Sequence, residues 1–206
     1  MIVIVDYHMG NVGSILNMLK KIRYQAIVSS DPSELLPASK IILPGVGAFD
    51  HAMQNLETLK LLPVLNQKVL NENTPILGIC LGMQLLALRS EEGKKAGLGW
   101  IDAEVTRFKF STDMKLPVPH MGWNRINIMQ NHSILSGLNN ESKFYFVHSY
   151  YFSCKDPDNI LTQTEYGIPF TSAVVKNHIL GVQFHPEKSH RYGMTLLKNF
   201  AEMRLP

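Results

Sequence analysis

Short apolar runs separated by helix-period segments constrain this chain more than any other feature. Residues 2–6 (IVIVD) form an apolar run ending in an acid, as a buried parallel strand does. Residues 25–29 (QAIVS), 40–43 (KIIL) and 75–79 (PILGI) read as the next strands. After the first strand, Val12, Ile15, Leu16, Leu19 and Ile22 recur at helical spacing, which places an apolar stripe on one helix face. Beyond Pro44-Gly45-Val46-Gly47, residues 50–70 read as helix interrupted near Pro63, and 81–89 (LGMQLLALR) as a helix directly after a strand. Such alternation predicts an α/β fold: an open, mostly parallel central sheet with helices on both faces.

The second half is richer in strands. Residues 101–108, 144–152, 160–165, 170–176 and 179–184 carry β-branched or aromatic residues between turn signals, and 191–203 close the chain as a helix. No segment has the composition of a linker, so 1–206 is expected to be a single domain. Charge is nearly balanced, 20 Lys+Arg against 17 Asp+Glu, which argues against a nucleic-acid partner. No run reaches the ~18 apolar residues of a membrane span. The start, MIVIVDYHMG, lacks the basic n-region of a signal peptide, and two cysteines exclude a disulfide-dense secreted scaffold. The expectation is a cytoplasmic protein with no membrane partner.

Gly78-Ile79-Cys80-Leu81-Gly82 lies between a predicted strand and a predicted helix. It has the G-x-S-x-G spacing of a nucleophile elbow, with sulfur in place of the hydroxyl. A turn this tight brings neighbouring backbone close, so a Cβ at either flank would clash. It presents the thiol at the carboxyl end of the sheet, where open α/β folds hold ligands, with the N-terminus of the next helix aimed at it. A buried structural cysteine accounts for the same pattern, and Cys154, which lacks such a frame, reads as structural. A thiol nucleophile needs a base. In Gly181-Val182-Gln183-Phe184-His185-Pro186-Glu187-Lys188-Ser189 an apolar strand ends at His185, Pro186 stops it, and Glu187 follows. A carboxylate beside an imidazole fixes its tautomer and stabilises the imidazolium; a strand-end histidine beside a solvated glutamate reads equally from that pattern alone. His120, His148 and His178 stand in no zinc-ligand spacing, so neither metal nor cofactor is expected.

Together, GICLGMQ at 78–84 and QFHPEKS at 183–189 resemble the nucleophile and His/Glu motifs of the class I, triad-type glutamine amidotransferases. DYHMGN at 6–11, LPGVGAF at 43–49, SEEG at 90–93, PHMGWN at 119–124 and YFVHSYY at 145–151 resemble one branch of them, the glutaminase subunits of imidazole glycerol phosphate synthase. The resemblance implies that Cys80 attacks the side-chain amide of L-glutamine, that His185 moves the proton and that Glu187 orients His185. It implies an oxyanion hole from Leu81 and the Gly45-Val46-Gly47 loop, whose two glycines ease a peptide reorientation. Gly47, Gln84, Glu92, Ser149 and Tyr150 are the implied glutamine contacts. A barrel-shaped cyclase is the implied heterodimer partner, taking the ammonia to make imidazole glycerol phosphate and AICAR in histidine biosynthesis. Asn11, His120, Trp123, Asn124 and Lys188 match positions at or near that contact. One departure is His8, where the family pattern has glycine. GNVGSILNMLKK and GLGWIDAEV are also similar to paralogous subunits that feed ammonia to an enzyme amidating a nucleotide sugar in surface-polysaccharide synthesis, and this acceptor is the alternative. A scaffold without catalysis and a stand-alone cysteine hydrolase are readings from other classes.

Overall fold

The computed structural model describes residues 1–111 and 114–203. In chain order the strands are β1 (Ile2–Val5), β2 (Ala26–Ser29), β3 (Lys40–Gly45), β4 (Ile76–Cys80), β5 (Arg89–Ser90), β6 (Ala103–Arg107), β7 (His120–Arg125), β8 (Asn127–Ile128), β9 (Lys143–His148), β10 (Tyr150–Cys154), β11 (Ile160–Tyr166), β12 (Ile168–Lys176) and β13 (Ile179–Val182). The α-helices are α1 (Val12–Lys21), α2 (Pro32–Leu35), α3 (Phe49–Thr58), α4 (Leu61–Asn66), α5 (Leu81–Gln84) and α6 (His190–Glu202).

The large sheet runs β2-β1-β3-β4-β13-β12-β10-β6-β5, and its first five strands are parallel. From β13 onward the β12 and β10 pairings are antiparallel, which accounts for the strand-rich second half. Alternation along each parallel strand divides the core. Val3 and Val5 of β1 join one apolar cluster with Phe49 and Leu56 of α3, while Ile2 and Ile4 join the other with Leu19 of α1 and Phe200 of α6. Successive side chains of a strand point to opposite faces, so the sheet is covered on both. No helix among the described residues is long and apolar enough to cross a membrane.

Three local expectations change, and one strand stands where none is expected. The break in the 50–70 helix falls at Lys60, whose φ of 55° ends α3, and not at Pro63. Pro63 instead sits in the first turn of α4, where its missing N–H has no intrahelical acceptor to lose. The helix expected over 81–89 is only α5, one turn long. Its continuation is prevented because the carbonyls of Leu85, Leu86, Ala87 and Leu88 accept from N–H groups of Leu98, Trp100, Gly99 and Gly97. The strand expected over 144–152 is two, because the chain leaves a small sheet with β7 and enters the large one at Ser149. Finally, 120–125 is a strand, although its sequence HMGWNR has little β-branched character.

The backbone at His8 accounts for the glycine of the family pattern, not for the histidine. Its φ is 65°, a region glycine enters freely and other residues enter at a cost.

Candidate active site

Three neighbouring strands deliver the site. In the order β3-β4-β13, Gly45 ends β3, Cys80 ends β4, and His185 follows β13 by three residues. Parallel neighbours end on the same edge, so the loop glycines, the thiol and the imidazole converge at the carboxyl ends of the sheet. Cys80 has φ 54° and ψ −111°, the strained elbow conformation, which costs about 1–3 kcal/mol in a non-glycine residue. The flanking glycines are sterically required. A Cβ on Gly78 would lie 2.7 Å from the Gly82 carbonyl oxygen, and one on Gly82 would run into the Leu43 carbonyl. A Cβ on Gly45 would meet Tyr7 Oη and stand 2.9 Å from the Gly82 nitrogen. Since α5 is a single turn, it contributes N–H groups without intrahelical acceptors, not an extended dipole.

His185 is anchored by its backbone. Its N–H donates to the Tyr145 carbonyl at 2.9 Å, and its carbonyl accepts from Ser189 Oγ at 2.6 Å. The 3-10 turn Pro186–Lys188 then folds Glu187 back under the ring. His185 Nδ1–H donates to Glu187 Oε1 at 2.7 Å, with both side chains almost fully buried. Nε2 is buried and has no hydrogen-bond partner of ordinary geometry among the described residues. Burial pushes the imidazole pKa down, but the adjoining Cys80 and Glu187 act more strongly together and raise it to about 10. An imidazolium between a sulfur and a carboxylate is the state this pocket stabilises.

A cavity of about 330 Å³ opens over these groups, and its lining includes Val46, Gly47, Cys80, Leu81, Gln84, His185, Glu92, Ser149 and Tyr150. Its size suits a small polar metabolite. The sequence-expected nucleophile, oxyanion and glutamine-contact residues thus meet in one place, except that Gly45 stands just behind it. Glu92 Oε2 accepts from the Phe49 N–H at 3.0 Å, and burial raises its pKa. Gln84 Nε2 donates to the Tyr150 carbonyl and to Gln183 Oε1, each at 3.0 Å. Both amide hydrogens are therefore committed, and only its oxygen is left for a ligand.

The expected partner-contact residues divide. Trp123 and Lys188 are exposed; Trp123 stacks on His190 with ring planes 3° apart, and Lys188 Nζ lies 5.5 Å from the Tyr145 ring centroid. Asn11 is exposed but caps α1, accepting from the Ser14 N–H at 3.2 Å. Asn124 is half-buried, and His120 is only 3% exposed, behind the β7 face and not on it. A strand sends alternate residues to opposite faces, so His120 turns inward where Met121 and Trp123 turn outward. Gln183 was not singled out by sequence reasoning. It is fully buried and its Nε2 donates to Cys80 Sγ at 3.7 Å. The signal available was a polar residue inside an otherwise apolar strand end.

A family model, glutamine amidotransferase class-I, matches residues 3–203. The chain belongs to this family. Among curated class I amidotransferase relatives, it is 52% identical over 203 residues to the imidazole glycerol phosphate synthase subunit HisH 2 of Pseudomonas aeruginosa, covering 98% of this chain and 100% of that one. It is 55% identical over 200 residues to the subunit of the same name from Methanococcus maripaludis, covering 97% and 98%. Among solved structures, PurLQS from Thermotoga maritima superposes with a TM-score of 0.73 at 15% identity, over 97% of this chain and 96% of that one. A GMP synthase subunit from Thermoplasma acidophilum gives 0.72 at 22% identity, over 97% and 91%. At those identities the structures speak for the fold alone. Both cysteines of this amidotransferase are free thiols, and burial raises the pKa of Cys154 to about 12, which leaves it inert.

Proposed function

We propose that this chain is the glutaminase subunit of an imidazole glycerol phosphate synthase, hydrolysing L-glutamine to glutamate and ammonia and passing the ammonia to a barrel-type cyclase in cytoplasmic histidine biosynthesis. The observation that carries the chemistry is the convergence of Cys80 and His185 on one small cavity, with Glu187 bound to the other ring nitrogen of His185. Cys80 Sγ, its proton held on Nε2 of the His185 imidazolium that this pocket stabilises, attacks the amide carbon of the substrate side chain. The oxyanion is held by the Leu81 N–H, which as the first residue of α5 has no intrahelical acceptor, and by the Gly45-Val46-Gly47 loop. One such donor is worth about 3 kcal/mol. His185 then protonates the leaving nitrogen, the C–N bond breaks and ammonia departs from a glutamyl thioester. Water attacks the thioester and gives its proton to Nε2, and as glutamate leaves the sulfur departs as the partner of the restored imidazolium. Gln84 accepts from a substrate N–H, and the Glu92 carboxylate faces the substrate ammonium.

The exposed apolar residues of β7, Met121 at 62% and Trp123 at 46%, support a docking face beside this cavity, with Lys188 as its charge. The names of the relatives favour the imidazole glycerol phosphate acceptor over a nucleotide sugar. The test is glutamate release by the chain mixed with a cyclase subunit, with and without Cys80→Ala. Loss of release by a factor of about 10⁴ or more is expected; equal release removes the nucleophile, and release that no cyclase stimulates removes the partner.

A further inference from the structure

Two buried histidines take no part in the mechanism above. His120 Nδ1 and His148 Nε2 are 3.0 Å apart, and they are 3% and 6% exposed. No third metal ligand joins them among the described residues. Their hydrogen bonds run on at both ends. His148 Nδ1 lies 2.8 Å from the Tyr150 carbonyl oxygen, and His120 Nε2 lies 3.3 Å from Asn124 Nδ2.

The direction of every bond in this chain follows from its one unambiguous member. The Tyr150 carbonyl can only accept. His148 must then carry its proton on Nδ1, which leaves Nε2 as an acceptor and makes His120 Nδ1–H the donor. His120 Nε2 is in turn an acceptor and takes a hydrogen from Asn124, whose other amide hydrogen goes to the Glu165 carbonyl at 2.9 Å. Both imidazoles are neutral in this arrangement. Burial agrees, holding His120 at about 4 and His148 at about 3.

The same carbonyl accepts from Gln84 Nε2, so the Gln84 amide cannot be reversed. Its second hydrogen faces Gln183 Oε1 at 3.0 Å, so the Gln183 amide cannot be reversed either. Gln183 Nε2 is thereby turned to Cys80 Sγ, at 3.7 Å, a distance suited to the larger sulfur atom. One hydrogen-bonded line thus joins the half-buried Asn124 of β7 to the thiol.

We propose that Gln183 is a positioning residue that holds the Cys80 sulfur and stabilises negative charge on it, and that the His120–His148 pair holds in place the Tyr150 carbonyl, which fixes the Gln183 orientation through Gln84. This rests on the reading of Cys80 as the nucleophile. A hydrogen bond to an anionic acceptor is among the stronger ones, and an amide locked by its neighbours needs no reorganisation as charge develops.

The test uses the full chain without partner or glutamine. Iodoacetamide labelling of Cys80 at pH 7 is followed by mass spectrometry of its peptide, with added glutathione as the reference thiol. Gln183→Met keeps the volume and removes the donor. Gln183→Glu keeps an acceptor for Gln84 and replaces the N–H by oxygen. Both are expected to slow Cys80 labelling about ten-fold, the weight of one hydrogen bond to a charged group. With the cyclase present, kcat should fall by a similar factor while KM stays within about two-fold, a split that a general packing defect does not produce. His120→Phe, which retains ring stacking, should slow labelling about three-fold. In the parent protein, the side-chain amide resonances of Gln183 should shift when Cys80 is alkylated, a readout independent of whether any variant folds. Labelling of both Gln183 variants within two-fold of the parent, or unmoved Gln183 resonances, overturns the positioning role. A normal rate in His120→Phe overturns the part given to the histidine pair. Absence of glutamate release from the parent with its cyclase overturns the proposed function instead, since labelling does not depend on turnover.

Discussion

His185 and the His120–His148 pair are buried to nearly the same degree, at 1%, 3% and 6% exposed, yet their surroundings drive their pKa values in opposite directions. Burial alone disfavours a charged imidazole in all of them. What differs is the group on the other side of the hydrogen bond. His185 gives its Nδ1 proton to a carboxylate, Glu187, and has a sulfur beside it. His148 gives its Nδ1 proton to a backbone carbonyl, and His120 gives its own to a neutral imidazole. A dipole orients a ring without charging it, whereas an anion does both. The first environment is therefore suited to moving protons and the second to holding neighbours in place.

The sharpest way to break this contrast is His185→Asn. It should lower glutamate release by about 10⁴-fold, because it removes the imidazole that holds and transfers the proton. Glu187→Gln is the milder case. It replaces the anion by a dipole and so makes His185 resemble His148. Release should fall about 10²-fold, and the His185 titration followed by NMR should move down toward the range of the buried pair. His120→Phe acts on the other side of the comparison. The ring remains sandwiched between Phe146 and Tyr166, whose centroids lie 4.9 and 4.1 Å away. The change leaves His148 Nε2 without a donor, so urea denaturation should show about 1–3 kcal/mol of lost stability.

The smallest effect is a pair of opposed pH dependences. The folded pKa of His185 is raised, so its contribution is fully present below about 6.5, the unfolded value, and is lost as pH climbs toward about 10. Those of His120 and His148 are depressed to about 4 and about 3. Between those values and about 6.5 the unfolded chain binds more protons, so stability falls as the solution is acidified. Urea midpoints should decline on both sides of pH 6.5, and Glu187→Gln should flatten the alkaline decline while leaving the acid one unchanged.

Much of the parallel half was legible because its signals are local. An apolar run such as Ile2–Val5 and the helical spacing of Val12, Ile15 and Leu19 are set by residues a few positions apart. The elbow at Cys80 is local too, since Gly78 answers a clash with the Gly82 backbone four residues on, and Gly82 one with the adjacent strand. The antiparallel half was less legible. Nothing near Ser149 announces that the chain changes sheets there, and nothing near Leu85 shows that a distant loop takes the helix's carbonyls.

The same division runs through the site. Residue type and short spacing marked the thiol, the histidine and its carboxylate as candidates, because elbow and turn geometry belong to contiguous residues, and the family resemblance supplied their roles. The arrangement around them was decided by tertiary structure. Gln84 meets Tyr150 across 66 positions and Gln183 across 99, and Gln183 meets Cys80 across 103. An amide or imidazole has no intrinsic orientation. Which atom it offers the nucleophile is settled only when a carbonyl from another strand is placed against it.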